Sequence, residues 1–157
     1  AKPFSVGVRI EHRQETIDLG LYGRYAGTPG LPPGEYFLSR RVGDRGCYSF
    51  CMCPGGTVVA ASSEEGMVVT NGMSVHARDG VNANAALAVS VTPDDFADEG
   101  PLAGVAFQRM LERSAFAAGG GDYSAPVQCV GDFLRRQRGR RPGRVQPTYP
   151  RGWNLTD

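Results

Sequence analysis

Tyr48-Ser49-Phe50-Cys51-Met52-Cys53-Pro54-Gly55-Gly56-Thr57-Val58-Val59-Ala60-Ala61 is the stretch that decides the fold class. Tyr48–Cys53 reads as one strand, and Pro54-Gly55-Gly56 as a turn with glycines where positive φ is required. Thr57–Ala61 reads as the returning strand. Ser63-Glu64-Glu65-Gly66 turns the chain again, Met67-Val68-Val69-Thr70 is expected as a third strand, and Asn71-Gly72 carries the signal of a type I′ turn. The centre of the chain is thus predicted to be a β-meander.

On the amino-terminal side, residues 4–12 read as a strand with Phe4, Val6, Val8 and Ile10 on one face. Residues 15–19 lead into a long glycine- and proline-rich loop over 23–36, Tyr36-Phe37-Leu38 reads as a short strand, and Gly43-Asp44-Arg45-Gly46 as a turn. On the carboxyl side, Ala86–Val91 reads as a strand ended by Thr92-Pro93. A helix is expected over 101–118, with apolar Leu102, Val105, Ala106, Met110 and Ala117, stopped by Gly119-Gly120-Gly121. A second, shorter helix is expected over 126–137, and the tail over 138–157 is expected to be irregular. There is no internal repeat and no second core. The prediction is one α+β domain over 1–157, an antiparallel sheet or partly rolled barrel with two to three helices packed on it.

Composition narrows the class. In 157 residues, 41% hydrophobic and 21% charged content marks a globular protein. The 22 glycines and 11 prolines predict many turns and few long helices. No apolar run approaches the roughly 20 residues of a membrane span, and no charged-then-apolar leader is read at the start. The first residue, Ala1 and not Met, suggests an excised segment. Cys47, Cys51, Cys53 and Cys129 are few, and three crowd into seven positions. They read as reduced thiols of a bacterial-type cytoplasm and not as a disulfide framework.

The sequence lacks G-x-G-x-x-G after a strand and lacks G-x-x-x-x-G-K-[ST], so no dinucleotide cradle is expected within it. Residues two apart on a strand share a face, so Cys51 and Cys53 are expected to point the same way, as structural thiols or as thiols near a redox cofactor. His12 and His76, the two histidines, show no ligand spacing to them, and no metal site is expected. There is no G-x-S-x-G elbow. Arg135, Arg136, Arg138, Arg140, Arg141 and Arg144 carry +6 without an acid among them, leaving a net −5 on the rest of a chain whose formal charge is +1. That asymmetry raises a nucleic-acid surface as an alternative, but aromatic residues for base stacking are missing from the stretch.

Cys51-Met52-Cys53-Pro54-Gly55-Gly56, Val59–Gly66 and Thr70-Asn71-Gly72-Met73-Ser74-Val75-His76-Ala77-Arg78-Asp79 together resemble the uncharacterised bacterial FAD-dependent dehydrogenases, a group of NAD(P)/FAD-dependent oxidoreductases. Phe4–His12, Pro101–Gln108 and Pro147–Gly152 extend the resemblance over almost the whole chain. Val75 departs from it, standing where an aromatic is expected, and the Arg138–Arg144 linker is individual to this chain.

The resemblance implies an insert of a larger flavoprotein, a substrate-side or cap domain whose partner is the flanking flavin-binding domain of the same chain. FAD is then expected in the full-length parent and not in the isolated domain, with a small-molecule substrate and no membrane partner. Cys51, Cys53, Gly55, Gly56, Asn71, Gly72, Met73, Ser74 and Arg78 are the implied flavin- or substrate-facing residues. Gly55 and Gly56 would admit close backbone approach to a planar ring. Asn71 and Ser74 offer short hydrogen-bonding groups. Arg78 offers a guanidinium for an anionic substrate group or a flavin phosphate. No catalytic residue is assigned, and the domain alone is expected to be inactive. The alternatives are a nucleic-acid-binding module using Arg135–Arg144 and a thiol redox protein using Cys51 and Cys53.

Overall fold

Short strand-forming segments separated by turn chemistry fill the first ninety residues, and a helix-forming segment follows them. The computed structural model describes residues 2–61, 63–97, 100–137, 143–149 and the backbone of 153–155, and its architecture is α+β. Among the described residues the strands are β1 (Phe4–Arg13), β2 (Ser39–Val42), β3 (Arg45–Cys53), β4 (Gly56–Ala60), β5 (Thr70–Ser74), β6 (Asn82–Val91), β7 (Ala125–Val127) and β8 (Trp153–Leu155). The α-helices are α1 (Gln14–Tyr22), α2 (Ala103–Ala118) and α3 (Val130–Leu134). The strands form a four-stranded sheet in the order β1-β6-β3-β2, a β4-β5 pair and a parallel β7-β8 pair, with no closed barrel. The chain divides into two compact units: a sheet unit of Ser5–Val59 with Asn71–Ser90, and a helical unit of Ala1–Phe4, Ala60–Thr70 and Val91–Asp157.

In the sheet unit, the turn predicted at Gly43-Asp44 closes the antiparallel β2–β3 hairpin, with Ser39 opposite Tyr48 and Val42 opposite Arg45. β3 continues antiparallel along β6 from the Cys47–Val89 pair to the Phe50–Ala86 pair, and pairing resumes at Cys53 opposite Asn84. Three steps along β3 therefore face two along β6, which places one extra residue in a bulge at Cys51-Met52. The buried apolar side chains of this unit are small, namely Pro54, Val58, Ala83 and Ala85. The buried polar ones are Gln14, Ser49, Asn82 and Asn84, so the centre of the unit is built on hydrogen bonds.

Several expectations are corrected here. The meander is not formed, because β3 pairs with β2 and β6 while β4 pairs with β5. Met67–Val69 are not in a strand, and Asn71-Gly72 lies inside β5 and makes no turn. Tyr36–Leu38 has no regular structure; Leu38 is instead hooked to β3 through its N–H to Ser49 Oγ (2.7 Å) and the Ser49 N–H to its carbonyl (2.7 Å). Val8, expected on one face with Phe4, Val6 and Ile10, is 63% exposed. α1 and the first four residues of β6 were not expected.

In the helical unit, the predicted long helix is α2. Phe107 packs with Phe4 and Phe96 (ring centroids 6.3 and 5.4 Å apart), and Phe4 stacks on Phe96 at 5.5 Å. Val68 N–H donates to the Glu112 carbonyl (3.2 Å), Arg109 Nε to Glu64 Oε1 (2.6 Å), and Met67 is buried. The stripe selected by periodicity faces out: Leu102 is 71% exposed, and Val105, Ala106, Met110 and Ala117 are exposed too. The helix expected over 126–137 shrinks to α3. Ala125 precedes a proline, which disfavours helical backbone, and Ala125–Val127 pairs instead as β7 with β8. Of the tail over 138–157, residues 143–149 carry no regular structure, Trp153–Leu155 form β8, and 138–142, 150–152 and 156–157 lie outside the described residues.

Truncating the ring on which this cluster converges is the direct test of that packing. Phe107→Ala is expected to cost about 2 kcal/mol, below the roughly 3–5 kcal/mol of a fully buried aromatic because the ring is only partly buried, as measured by chemical denaturation.

Candidate functional site

The β3 bulge sets the geometry of the site. Cys51 takes the left-handed backbone conformation, φ 45°, which a non-glycine residue adopts only under constraint. Its carbonyl accepts from Arg9 Nη1 (3.3 Å) and from the Cys53 thiol (3.3 Å). Arg9 Nη1 also donates to Asn84 Oδ1 (2.5 Å), and Nη2 to Asn71 Oδ1 (3.2 Å). Asn84 is 0% exposed, and its Nδ2 makes no hydrogen bond. The amide cannot simply be turned over, because that would aim its N–H groups at the guanidinium. A buried donor left unpaired costs about 1–3 kcal/mol. Gly72 lies against the same pair, and a Cβ there would collide with Arg9 Nη1 and Asn84 Oδ1.

A second node adjoins the Pro54-Gly55 turn. Gln14, 7% exposed at the start of α1, donates from Nε2 to Asp18 Oδ1 (2.7 Å) and to the Gly34 carbonyl (3.0 Å). Its Oε1 accepts from Gly55 N–H (2.8 Å), and its own N–H donates to the Val81 carbonyl (3.0 Å). Gly34 N–H returns to Asp18 Oδ1 at 2.7 Å. Gly55, at φ 52°, accepts from Gly80 N–H (3.2 Å), and Ser74 Oγ donates to the Pro54 carbonyl (2.7 Å). Arg78 is paired with the Glu35 carboxylate.

His12 Nε2 and the Tyr36 hydroxyl share a hydrogen bond of 2.8 Å, and His12 Nδ1 is buried without a hydrogen-bond partner. Burial holds the His12 imidazole below its ordinary pKa, partly offset by backbone groups at residues 12 and 13 and by Glu11. Burial pushes the Tyr36 hydroxyl up, while the Arg9 charge pulls it the other way. Near neutral pH the pair is therefore a neutral imidazole facing a protonated phenol.

All nine residues singled out by sequence lie in the sheet unit. Cys51, Cys53, Asn71 and Gly72 surround Arg9, whereas Gly55, Ser74 and Arg78 belong to the turns tied by Gln14. Met73 is exposed between Gly72 and Ser74, and Gly56 lies under its carbonyl. The close approach that Gly55 and Gly56 allow is made to the Arg78 and Met73 backbone. The bulge breaks the alternation that would align Cys51 with Cys53: the first is exposed, the second part-buried, and neither is in a disulfide. In the arginine stretch Arg135 pairs with Asp132 (2.8 Å), while Arg138, Arg140 and Arg141 lie outside the described residues.

Arg9, His12, Gln14, Tyr36 and Asn84 were missed by sequence reasoning. The available signal was Asn82-Ala83-Asn84-Ala85, where polar residues alternate with small apolar ones and all four are buried. Among the described residues no helix is long and apolar enough to cross a membrane.

The family described as FAD-dependent protein, C-terminal domain-like, has a model that matches residues 3–157. An uncharacterized protein of Clostridium beijerinckii (strain ATCC 51743 / NCIMB 8052) is 52% identical over 159 residues; the match covers 100% of this chain and 30% of that protein. The chain thus spans under a third of the length of this relative.

Two outcomes follow from the geometry. Gln14→Ala leaves the buried Gly55 N–H and the Asp18–Gly34 contact without their shared partner, and is expected to cost about 3 kcal/mol by denaturant unfolding. The folded state holds His12 below the ordinary 6.5 of the unfolded chain, so the unfolded chain binds the extra proton more readily. This contribution to stability is complete above 6.5 and is lost as pH falls from there through the folded value. Denaturation measured across that window is expected to show the loss, and His12→Gln to flatten it.

Proposed function

The chain belongs to the FAD-dependent protein C-terminal domain-like family, and from that premise we propose that it is the substrate-side domain of a larger FAD-dependent oxidoreductase, a dehydrogenase of the bacterial cytoplasm. The observation that carries this is the polar centre of the sheet unit. A fully buried Asn84 with an unpaired amide nitrogen holds a guanidinium at a strained bulge, where packing alone calls for an apolar side chain.

The residues present fit one side of a flavin site. This sequence has no glycine pattern for the dinucleotide phosphates, so the phosphates are assigned to other segments of the parent polypeptide. What the sheet unit offers is a donor: the Arg9 guanidinium, held by the buried Asn84 and by Asn71, which suits polar groups of a ring edge or a substrate. FAD, where bound, supplies the hydride acceptor. The chain's own contribution is to bind and orient: the Tyr36 hydroxyl holds its proton, and the hydrogen bond it shares with the neutral His12 Nε2 fixes its direction.

The partner in this proposal is the flavin-binding domain of the same polypeptide, and the substrate is a small molecule. Phe37, Leu38, Val42 and Phe50 in the sheet unit, and Leu102, Phe133 and Leu134 in the helical unit, are exposed apolar side chains of the kind that a neighbouring domain covers.

Titration with FAD, followed by calorimetry, is the test. The full-length polypeptide is expected to bind FAD and this domain alone to bind none and turn over no substrate. Tight FAD binding by the domain alone would overturn the assignment and make the turns at Gly55 and Asn71 the cofactor site.

A further inference from the structure

At Arg9 a cation, a strained carbonyl and a fully buried amide meet, and we propose that its guanidinium anchors a carboxylate group of the substrate. This deepens the substrate-side role proposed above and rests on it, and the experiment below separates the failure of one from the failure of the other.

Charge is the first reason. Arg13, Arg41, Arg78, Arg109 and Arg135 each face a carboxylate, from Glu15, Asp44, Glu35, Glu64 and Asp132 respectively. Arg9 faces three neutral oxygens, those of Cys51, Asn84 and Asn71. The nearest acid along its strand, Glu11, accepts instead from Asn82 Nδ2 (3.1 Å). A part-buried cation with uncharged partners is a preformed site for an anion.

Hydrogen-bond capacity is the second. Arginine has five N–H donors. Nη1 is committed to Cys51 and Asn84, and Nη2 spends one donor on Asn71. The Nε–H and the second Nη2–H remain. Both nitrogens border one edge of the planar fork, and that edge matches the two oxygens of a carboxylate.

Preorganisation is the third. The three acceptors come from separate strands, β3, β5 and β6, and fix the guanidinium in orientation before any ligand arrives. The Cys51 carbonyl reaches it through a left-handed backbone, and Gly72 leaves it room that any side chain would take. Asn71 and Asn84 are positioning residues in this arrangement. Among the described residues no lysine or second guanidinium joins the cluster by a hydrogen bond, so a single planar anion fits it better than a phosphate. The Arg9 charge is felt at the Tyr36 hydroxyl, so a carboxylate held there lies in the neighbourhood of the Tyr36–His12 pair.

The test uses the full-length, flavin-loaded protein. Phenylglyoxal modification of each arginine is followed by peptide mass spectrometry with acetate, butyrate or benzoate present, against the matching amides and chloride at constant ionic strength. At least one carboxylate is expected to slow modification of Arg9 about tenfold, the scale of one charge-assisted hydrogen bond, with amides and chloride without effect and Arg109 as the unprotected control. Arg9→Lys, which keeps the charge and loses the fork, is expected to weaken binding of that carboxylate about tenfold in calorimetry. The anchor is overturned if Arg9 is inert without ligand, if no carboxylate protects it, or if Arg9→Lys binds with unchanged affinity. The flavin absorbance of the same samples separates the two claims. Protection at Arg9 with an unperturbed flavin spectrum keeps the anion site and removes its placement beside the flavin. A perturbed spectrum without protection keeps the substrate-side role and removes Arg9 as the anchor.

Discussion

The sheet unit depends on the Gln14 side chain more than on any apolar contact. One buried amide joins α1 to the loop at Gly34 and to the turn at Gly55, using both donors and its acceptor. A hydrophobic residue of the same size would leave the Gly55 N–H buried without a partner, and unmade hydrogen bonds cost more than made ones gain. The turns that carry Ser74 and Arg78 close over the same node, since Gly80 binds Gly55 and Ser74 binds Pro54. Pro54, among the largest fully buried side chains, is clamped between them.

This polar construction explains how a charged Arg9 is tolerated beside the buried centre. A cation there loses hydration, and three oxygens from three strands replace it. The replacement depends on the bulge. With regular pairing through Cys51, the alternation of β3 would continue and its carbonyl would point, like the Ser49 N–H bound to Leu38, to the side of β3 away from β6. The extra residue turns that carbonyl to Arg9 and to the Cys53 thiol. The C-x-C spacing that suggested a redox pair therefore has a conformational role in the structure: one cysteine bends the strand, and the other's thiol stabilises the bent carbonyl.

What was legible in the sequence was local. The Gly43-Asp44 turn, the glycine turn at Pro54-Gly55 and the helix ending at Gly119 each announce themselves within a few residues, and each was found. α1 was not, because Thr16, Ile17, Asp18 and Gly20 are indifferent helix formers and the helix is held by Gln14 and Asp18 reaching Gly34, sixteen to twenty residues away. Asn71-Gly72 misled for the converse reason. Its dipeptide favours a hairpin turn in isolation, but Asn71 is pulled toward Arg9, 62 residues distant, and Gly72 serves as clearance. The candidate site divides along the same line. Residues 51–56 and 71–78 were recognisable from turn chemistry and family likeness, while Arg9, Gln14 and Asn84 acquire their roles through contacts that reach across as many as 75 residues.

The cost of this centre bears on why it is kept. Asn84 is buried with one hydrogen bond made and one amide nitrogen unsatisfied, and an apolar side chain in its place would carry no unpaired donor. Stability alone therefore disfavours the residue. The same holds for Cys51, whose left-handed backbone a glycine would adopt at lower cost. Two unfavourable choices at one nitrogen of the guanidinium, Nη1, 33 residues apart in sequence, have a common explanation if the position and orientation of Arg9 are what the strand bulge and the buried amide together maintain.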